Sequence, residues 1–407
     1  MATENYGAEA LLVESQGFVG VSTNTNLVFI GSAPKGTLNE AVTVTSLTDA
    51  STKLGLALGD GYNLSEALEA AFSIAGINKV TCIPISNDQA PAKSDYLGNA
   101  ELGTGIYAYE EMLRKAYEEM LRNAPSVTNL VCLPSVTDGE ILNAMLALCK
   151  NADGLYASYL VYDLPLTDSE LNASNYVVPA TIVKNKTIKD MYSTAVWGQI
   201  RTSAGHDISG AAVRAALMAK SDANYGVPAR VAGNIEVPSI QGVVGMKGEE
   251  KVLAKIPRSS ANELSADGIC TVRRRGSTYV TWGDHTSAFA GGTVTDELAR
   301  FENRIRMNAM LKNRWVMKYE PIIDSPLTLQ MRNDIINAEQ DYLNGLVATG
   351  ALIGEPKCEF IAESNPIDDI VQGNFTWNIT VTETNPLKYM LARIAFSVAG
   401  LSFYTQE

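Results

Sequence analysis

From Asn26 onward the chain alternates short apolar, strand-forming runs with stretches of helical period, and this alternation restricts it to a layered arrangement of sheet and helices. Residues 28–31 read as a buried strand. Residues 65–75 follow as a helix, with Leu68, Ala71, Phe72 and Ala75 on one face, Ser65 at the N-cap and Gly76 placed to stop it. Residues 80–85, 129–133 and 159–162 make further strands, with a helix at 139–150 between the last two. The string YEEMLR occurs twice, eight residues apart, within residues 109–122. It sets Tyr109, Met112, Leu113, Ala116, Tyr117, Met120 and Leu121 on one face and pairs Glu110 with Arg114, Glu111 with Lys115 and Glu118 with Arg122, which predicts an amphipathic helix. Residues 192–245 are richer in Gly, Ala and Ser and give no ordered reading.

After Gly268 the punctuation changes. Two strand-like runs flank Gly276 as a hairpin, and two helices follow at 295–318 and 327–349, the second ending near Gly350. Phe375, Trp377, Ile379 and Val381 then alternate with polar residues, as do Ile394, Phe396 and Val398 after the turn at Asn385-Pro386, the period of a sheet with one buried face. Gly400 leads to a short tail containing Leu401 and Phe403. The first 25 residues are apolar clusters, Phe18, Val19 and Val21 among them, without helical period, and read as an arm.

The 407 residues suggest two or three domains at about 150 residues each. With 32 Lys+Arg against 45 Asp+Glu the formal charge is -13, which argues against a nucleic-acid binder relying on counterion release and against adsorption to an anionic membrane. Five scattered cysteines without CxxC spacing read as buried thiols rather than a disulfide framework or zinc site. The opening Met-Ala-Thr-Glu-Asn-Tyr is unlike a signal peptide, and no run approaches the ~18 apolar residues of a membrane helix, so a cytoplasmic fold is expected.

Constellations for catalysis, metals or cofactors are sparse. Phosphate-loop, nucleophile-elbow, HExxH and EF-hand patterns do not occur. Gly103-Thr-Gly-Ile-Tyr-Ala108 fits GxGxxA, but the residues before it do not read as the strand that a dinucleotide site requires; a nucleotide-binding enzyme using this loop is the alternative class. His206 and His285 each adjoin an aspartate, Asp207 and Asp284, with no third group indicated, and read as turn or surface residues. Asn172, Asn185, Asn374 and Asn378 open glycosylation-like triplets that read as chance. The 300–318 stretch carries Arg300, Arg304, Arg306, Lys312, Arg314 and Lys318 against Glu302, either a positive face for an acidic partner or a solvated helix face.

Taken in order, VFIGSAPKGTLNEAVTVTS (28–46), INKVTCIPI (77–85), NLVCLPSVTD (129–138), LVYDLP (160–165), DGICTVRRRGSTYVTWGDHT (267–286), NRWVMKYEPIIDSPLTLQMRNDI (313–335), YLNGLVATGALIG (342–354) and NPIDDIVQGNFTWNITVTETNPLKYMLARIAF (365–396) resemble the contractile tail sheath proteins of phages and phage-tail-like particles. Asp284-His285 departs from the Ala-Arg usual there, and the family's Ser-Gly/Ala-Gly-Val segment is loose around 203–212.

The resemblance implies a mixed α/β, multi-domain fold. It comprises an N-terminal arm (1–25), a first core part (26–86), a middle or outer domain (87–266), a C-terminal core (267–399) and a C-terminal arm (400–407). It implies a noncatalytic subunit, without cofactor or metal, that stacks as hexameric rings around an inner tube. Contraction then needs no nucleotide hydrolysis. The partners implied are other copies, the tube protein, and baseplate and tail terminator proteins, without direct nucleic acid or membrane insertion. Assembly is expected in a bacterial cytoplasm, into a virion tail or phage-tail-like particle. Exchanged strands would come from Phe18, Val19 and Val21 and from Leu401 and Phe403, added to a sheet built by 375–381 and 394–398. The basic helix is the expected grip on the tube.

Overall fold

The computed structural model describes residues 25–98 and 111–405. Its centre is an eight-stranded sheet formed by β1 (Thr25–Ser32), β2 (Val42–Val44), β3 (Val80–Ser86), β4 (Thr128–Cys132), β5 (Tyr159–Asp163), β6 (Ser193–Val196), β11 (Ile269–Arg275) and β12 (Thr278–Trp282), in the order β12-β11-β6-β5-β4-β1-β3-β2. The six inner strands pair in parallel and the edge strands β2 and β12 pair antiparallel. Inner strands of such a sheet are covered on both faces, which is why β3, β4 and β5 are buried along their whole length and read as unbroken apolar runs. One continuous core joins these strands to the helices around them.

The helix Gly210–Tyr225 packs on β1, β4 and β5 and is buried around almost its whole circumference. An Ala-rich helix enclosed on all sides carries no amphipathic stripe, so its sequence, GAAVRAALMAKSDANY, shows no period to read. Ser209 caps it by accepting from Ala212 N at 2.9 Å. Nearby, β7 (Gln199–Thr202), β8 (Asp207–Ile208), β9 (Ile240–Lys247) and β10 (Glu250–Leu253) form an antiparallel sheet in the order β10-β9-β7-β8.

A smaller second core gathers Met307 and Met310 of the helix Glu302–Tyr319, Leu343 and Leu346 of the helix Leu329–Ala348, and Leu352 and Cys358. Against it lies a two-stranded antiparallel sheet of β13 (Lys357–Glu359) and β14 (Asn378–Thr380).

Several sequence expectations change here. The boundaries expected at 86/87 and 266/267 both fall inside the eight-stranded sheet, because β4, β5 and β6 of the expected outer region sit between β1 and β11. The helix expected from Ser65 starts at Asn63, and its second part, Glu69–Ala75, is a π-helix ended by Gly76 at φ 69°. Ser65 does not cap it; its hydroxyl instead donates to Ala57 O at 2.5 Å. Of the expected strand 375–381 only Asn378–Thr380 pairs, and residues 394–397 form no strand at all. Val398, Leu401 and Phe403 belong to a 3-10 helix, Val398–Thr405. A strand needs a hydrogen-bonding neighbour, and none meets this segment among the described residues. Phe18, Val19, Val21 and the Gly103 string lie outside the described residues.

Candidate assembly surface

Asn303 and Arg304 of the helix Glu302–Tyr319 hold the start of the C-terminal segment: Asn303 Nδ2 donates to Thr384 O at 3.1 Å and Arg304 donates to Asn385 Oδ1 at 2.5 Å. Thr384 Oγ1 donates to Gly350 O at 2.7 Å, and the Lys388 ammonium pairs with the buried Asp284 carboxylate. Asp284, which stands where the resemblance has Ala, thus anchors the segment from within one chain.

Beyond Lys388 the segment leaves the body. Ile394 is 95 % exposed, Phe396 82 % and Phe403 77 %, and Leu387, Tyr389, Met390 and Tyr404 are uncovered too. A contiguous apolar stretch of this kind on a folded protein marks an interaction surface. Burying residues such as Ile394, Phe396 and Phe403 stabilises by roughly 1.5–3 kcal/mol each before the cost of ordering the chain. β13 and β14 present the complementary feature. Among the described residues each has a strand partner on one side only; the outer side of β13 is covered, with Cys358 N donating to Gln340 Oε1 at 3.1 Å, whereas the outer edge of β14 meets no strand. Behind them Trp377 packs between Trp315, with ring centroids 5.8 Å apart, and Phe360, at 5.2 Å, while Ile379 and Val381 rest on the second core. Phe375, at the exposed end, keeps a looser ring contact with Phe360.

The basic helix does not present one positive face. Arg306 is buried in an ion pair with Asp222, whose Oδ2 also accepts from Thr25 Oγ1 at 2.6 Å. Arg314, Lys318 and Tyr319 all donate to the buried carboxylate of Glu339, Lys318 at 2.8 Å and Tyr319 at 2.5 Å. Burial works against that charge, but the three donors outweigh it and hold the Glu339 pKa below the ordinary value. Arg300 is paired with Glu297, and Arg304 reaches Glu297 O as well as Asn385. Of the six cations only Lys312 is exposed, and it donates to Asn151 at 3.4 Å. Spacing alone could not separate a docking face from a face that is buried against acidic partners far away in sequence.

A second buried pair lies beside it. Glu302 accepts two bonds from Arg214, at 2.8 and 2.9 Å, one from Ala232 N at 2.8 Å and one from Thr194 Oγ1 at 3.3 Å. Together the Arg214–Glu302 and Arg306–Asp222 pairs latch the helix Glu302–Tyr319 to the helix Gly210–Tyr225.

Ligands of doubly wound sheets sit beyond the strand ends where the strand order reverses, here between β1 and β4. That position is occupied by the chain's own groups. Asn63 Nδ2 donates to Pro134 O at 3.0 Å, Ser135 Oγ to Glu66 at 2.6 Å, and Ser135 N and Ser209 Oγ to Asp163 at 2.9 and 2.6 Å. Burial, with Asp163 adding to it, pushes the Glu66 pKa up to about 7. The GxGxxA string is preceded by the helix Lys93–Leu97 rather than by a strand. His206 Nδ1 lies 2.8 Å from Glu69 Oε2, and His285 stacks on Phe289 with ring centroids 3.9 Å apart. Burial lowers the His285 pKa to about 4, so it is neutral at pH 7. His206 lies in the β7–β8 turn, as expected, whereas His285 is buried rather than in a surface position. All five cysteines are buried free thiols, and burial raises the Cys82 pKa to about 12. No group of three His, Cys, Asp or Glu that could hold a metal occurs among the described residues.

No protein-family model matches the chain. A stretch of 130 residues is 32% identical to the major tail sheath protein of Serratia phage KSP20; it covers 32% of this chain and 31% of that protein, so the chain spans about a third of the length of this curated relative. The likeness of fold extends over the whole chain. A chain in the anti-feeding prophage baseplate matches at TM-score 0.65 and 15% identity, covering 97% of this chain and 100% of that one. The PVC sheath complex of an extracellular contractile injection system, in its contracted state, matches at 0.67 and 13% over 98% and 100%. This is the contractile tail sheath fold. The sheath tail protein of Desulfitobacterium hafniense shares it at TM-score 0.57 and 10% identity, over 93% of this chain and 100% of that one. At 10–15% identity these structures share the fold with this chain. Within the sheath fold no helix among the described residues is long and apolar enough to cross a membrane.

Proposed function

We propose that this chain is the repeating structural subunit of a contractile sheath. Copies stack as hexameric rings around an inner tube, and the sheath shortens without nucleotide hydrolysis to drive the tube through a target cell envelope. The observation that carries the reading is the presence on one chain of a projecting apolar segment, 389–404, and of an outer edge of β14 that meets no strand among the described residues. A segment from one copy added to the edge of another satisfies backbone groups on both and buries its apolar side chains, which is β-augmentation in trans. Residues Phe18, Val19 and Val21 supply a second such strand. Linked in this way, subunits stay connected while their bodies rotate, and the free energy released comes from interface contacts that differ between a longer and a shorter lattice. Tube, baseplate and tail terminator proteins are the partners, and assembly takes place in the bacterial cytoplasm before incorporation into a tail or tail-like particle.

Negative-stain electron microscopy of the purified full chain, alone and with its tube subunit, tests this reading. Hollow cylinders are expected from the wild type. Chains lacking residues 1–24 or 389–407 should remain folded and soluble but form none; normal cylinders from both deletions reject strand exchange.

A further inference from the structure

The chain is acidic overall, yet four arginines, with Arg274 beside them, gather around one groove whose single lining carboxylate, Asp284, is already paired with Lys388. Arg273, Arg274 and Arg275 end β11, Arg258 opens the helix Arg258–Ala266, and Arg230 lies across from them. Arg230, Arg258, Arg273 and Arg275 line a groove of about 1020 Å³ beside the point where the C-terminal segment departs. No ion pair is made by any of the five among the described residues. What they do bond is neutral: Arg230 donates to Tyr225 Oη, Arg275 to Asn234 Oδ1 at 2.6 Å, and Arg273 to Arg274 O at 3.2 Å. Arg273 is also laid over the Trp282 ring, 4.2 Å from its centroid, and its Nε is buried without a partner. Burial first, then the like charges of Arg258 and Arg275, push its pKa down. Like charges held this close repel, and a fold that tolerates them gains when an anion arrives.

The opposite imbalance occurs on the same chain. Residues 355–371 carry Glu355, Glu359, Glu363, Asp368 and Asp369 against the single base Lys357. All five carboxylate residues are exposed, and none belongs to an ion pair among the described residues. The adjoining Ile367 and Val371 are exposed by 76 % and 80 %, so the short helix Ile367–Val371 offers an apolar rim beside its two aspartates. Two surfaces of opposite sign, each uncompensated within its own chain, fit one another between chains.

We propose that the arginine groove of one copy receives the acidic 355–371 segment of a second copy, forming an ionic contact separate from the paired strands. The contact rests on the sheath reading, since it needs copies in regular array. It is heterologous, one face meeting a different face, so it propagates along an assembly rather than closing a dimer. Exposed charges also make it adjustable: salt weakens it, whereas the apolar strands persist.

Two full-length variants test it, Arg258→Glu/Arg275→Glu and Asp368→Lys/Asp369→Lys, compared with wild type by sedimentation velocity and electron microscopy from about 0.05 M to about 0.5 M salt. Each variant alone should need on the order of tenfold more protein to assemble at low salt, because attraction becomes repulsion. An equimolar mixture should recover assembly, since glutamates then face lysines and arginines face aspartates. Circular dichroism and a monomer mass equal to wild type's establish that both variants fold. Assembly of either variant at the wild-type concentration, or a mixture no better than its components, overturns the contact and leaves the sheath reading standing. A wild type that does not associate at any salt overturns both.

Discussion

Replacing Glu302 with alanine should be among the most damaging single changes in the body of the protein. Glu302 and Arg214 are 0 % and 2 % exposed. The substitution strips a buried guanidinium of its counter-ion, and Ala232 N and Thr194 Oγ1 lose an acceptor. Breaking a buried pair from one side costs roughly 3–5 kcal/mol, because the remaining charge is left uncompensated. An orphaned buried amide adds about 1–3 kcal/mol. Against a net stability of about 5–15 kcal/mol, this removes a large share of what holds the chain folded. Arg214 also donates to Ala232 O and Gly283 O, at 2.9 Å each, so its displacement loosens the β11–β12 hairpin as well as the helix latch. Urea unfolding followed by far-ultraviolet circular dichroism and by tryptophan emission, with Trp197 fully buried in the main core, measures the change. The companion variant Arg214→Met/Glu302→Met removes both charges while keeping apolar volume, and should recover a good part of the loss. A Glu302→Ala loss below about 1 kcal/mol, the scale of an exposed pair, refutes the view that this bridge is dry and structural.

Other outcomes follow from the same side chains. The Glu66 pKa is raised in the folded chain to about 7, so its contribution is fully present below the unfolded carboxylate value and is lost as pH rises through 7; Glu339, held low, works in the opposite sense and loses its contribution as pH falls through its folded pKa. Glu66→Gln should therefore flatten the decline in unfolding midpoint between pH 5 and pH 8, and an unchanged slope counts against Glu66 as its source. Lys186 is buried with its ammonium donating to Ser287 O at 3.0 Å, Phe289 O at 2.8 Å and Asp267 O, stapling a loop to the segment after β12. Lys186→Met leaves those carbonyls without this donor and should cost several times the ~1 kcal/mol of an ordinary hydrogen bond, read as a fall in melting temperature; a neutral effect means that water replaces the ammonium. Gly268, at φ 65°, has Phe289 O and Thr286 O each 2.5 Å from where a Cβ would stand, so Gly268→Ala should lower the yield of folded protein through the same loop.

The parallel strands were legible because burial on both faces leaves an unmistakable run: VTCIPI, NLVC and YLVY each sit in the sheet within a residue or two of where they read. The amphipathic helices were legible from their stripe, as at Glu111–Asn123 and Leu329–Ala348. The helix Gly210–Tyr225 was not, since a segment enclosed on every side has no polar face to set a phase. The partners of the basic helix were hidden for another reason. Asp222 is 84 residues from Arg306 in sequence and Glu339 is 25 from Arg314, and charge counted along a helix does not record what the fold brings against it. The alternation of Ile394, Phe396 and Val398 reads as a strand, but among the described residues 394–397 have no strand partner and Val398 opens a 3-10 helix. Asp284, noted in the sequence beside His285 and as a departure from the sheath pattern, holds Lys388 at the root of that segment.

A map of the assembled particle at side-chain resolution tests the central claim most directly. The account predicts residues 394–398 of one copy hydrogen-bonded to the outer edge of β14 in a neighbour, with Ile394 and Phe396 buried there. A map in which this segment folds back onto its own subunit, or leaves the β14 edge unpaired while the lattice is intact, would contradict it.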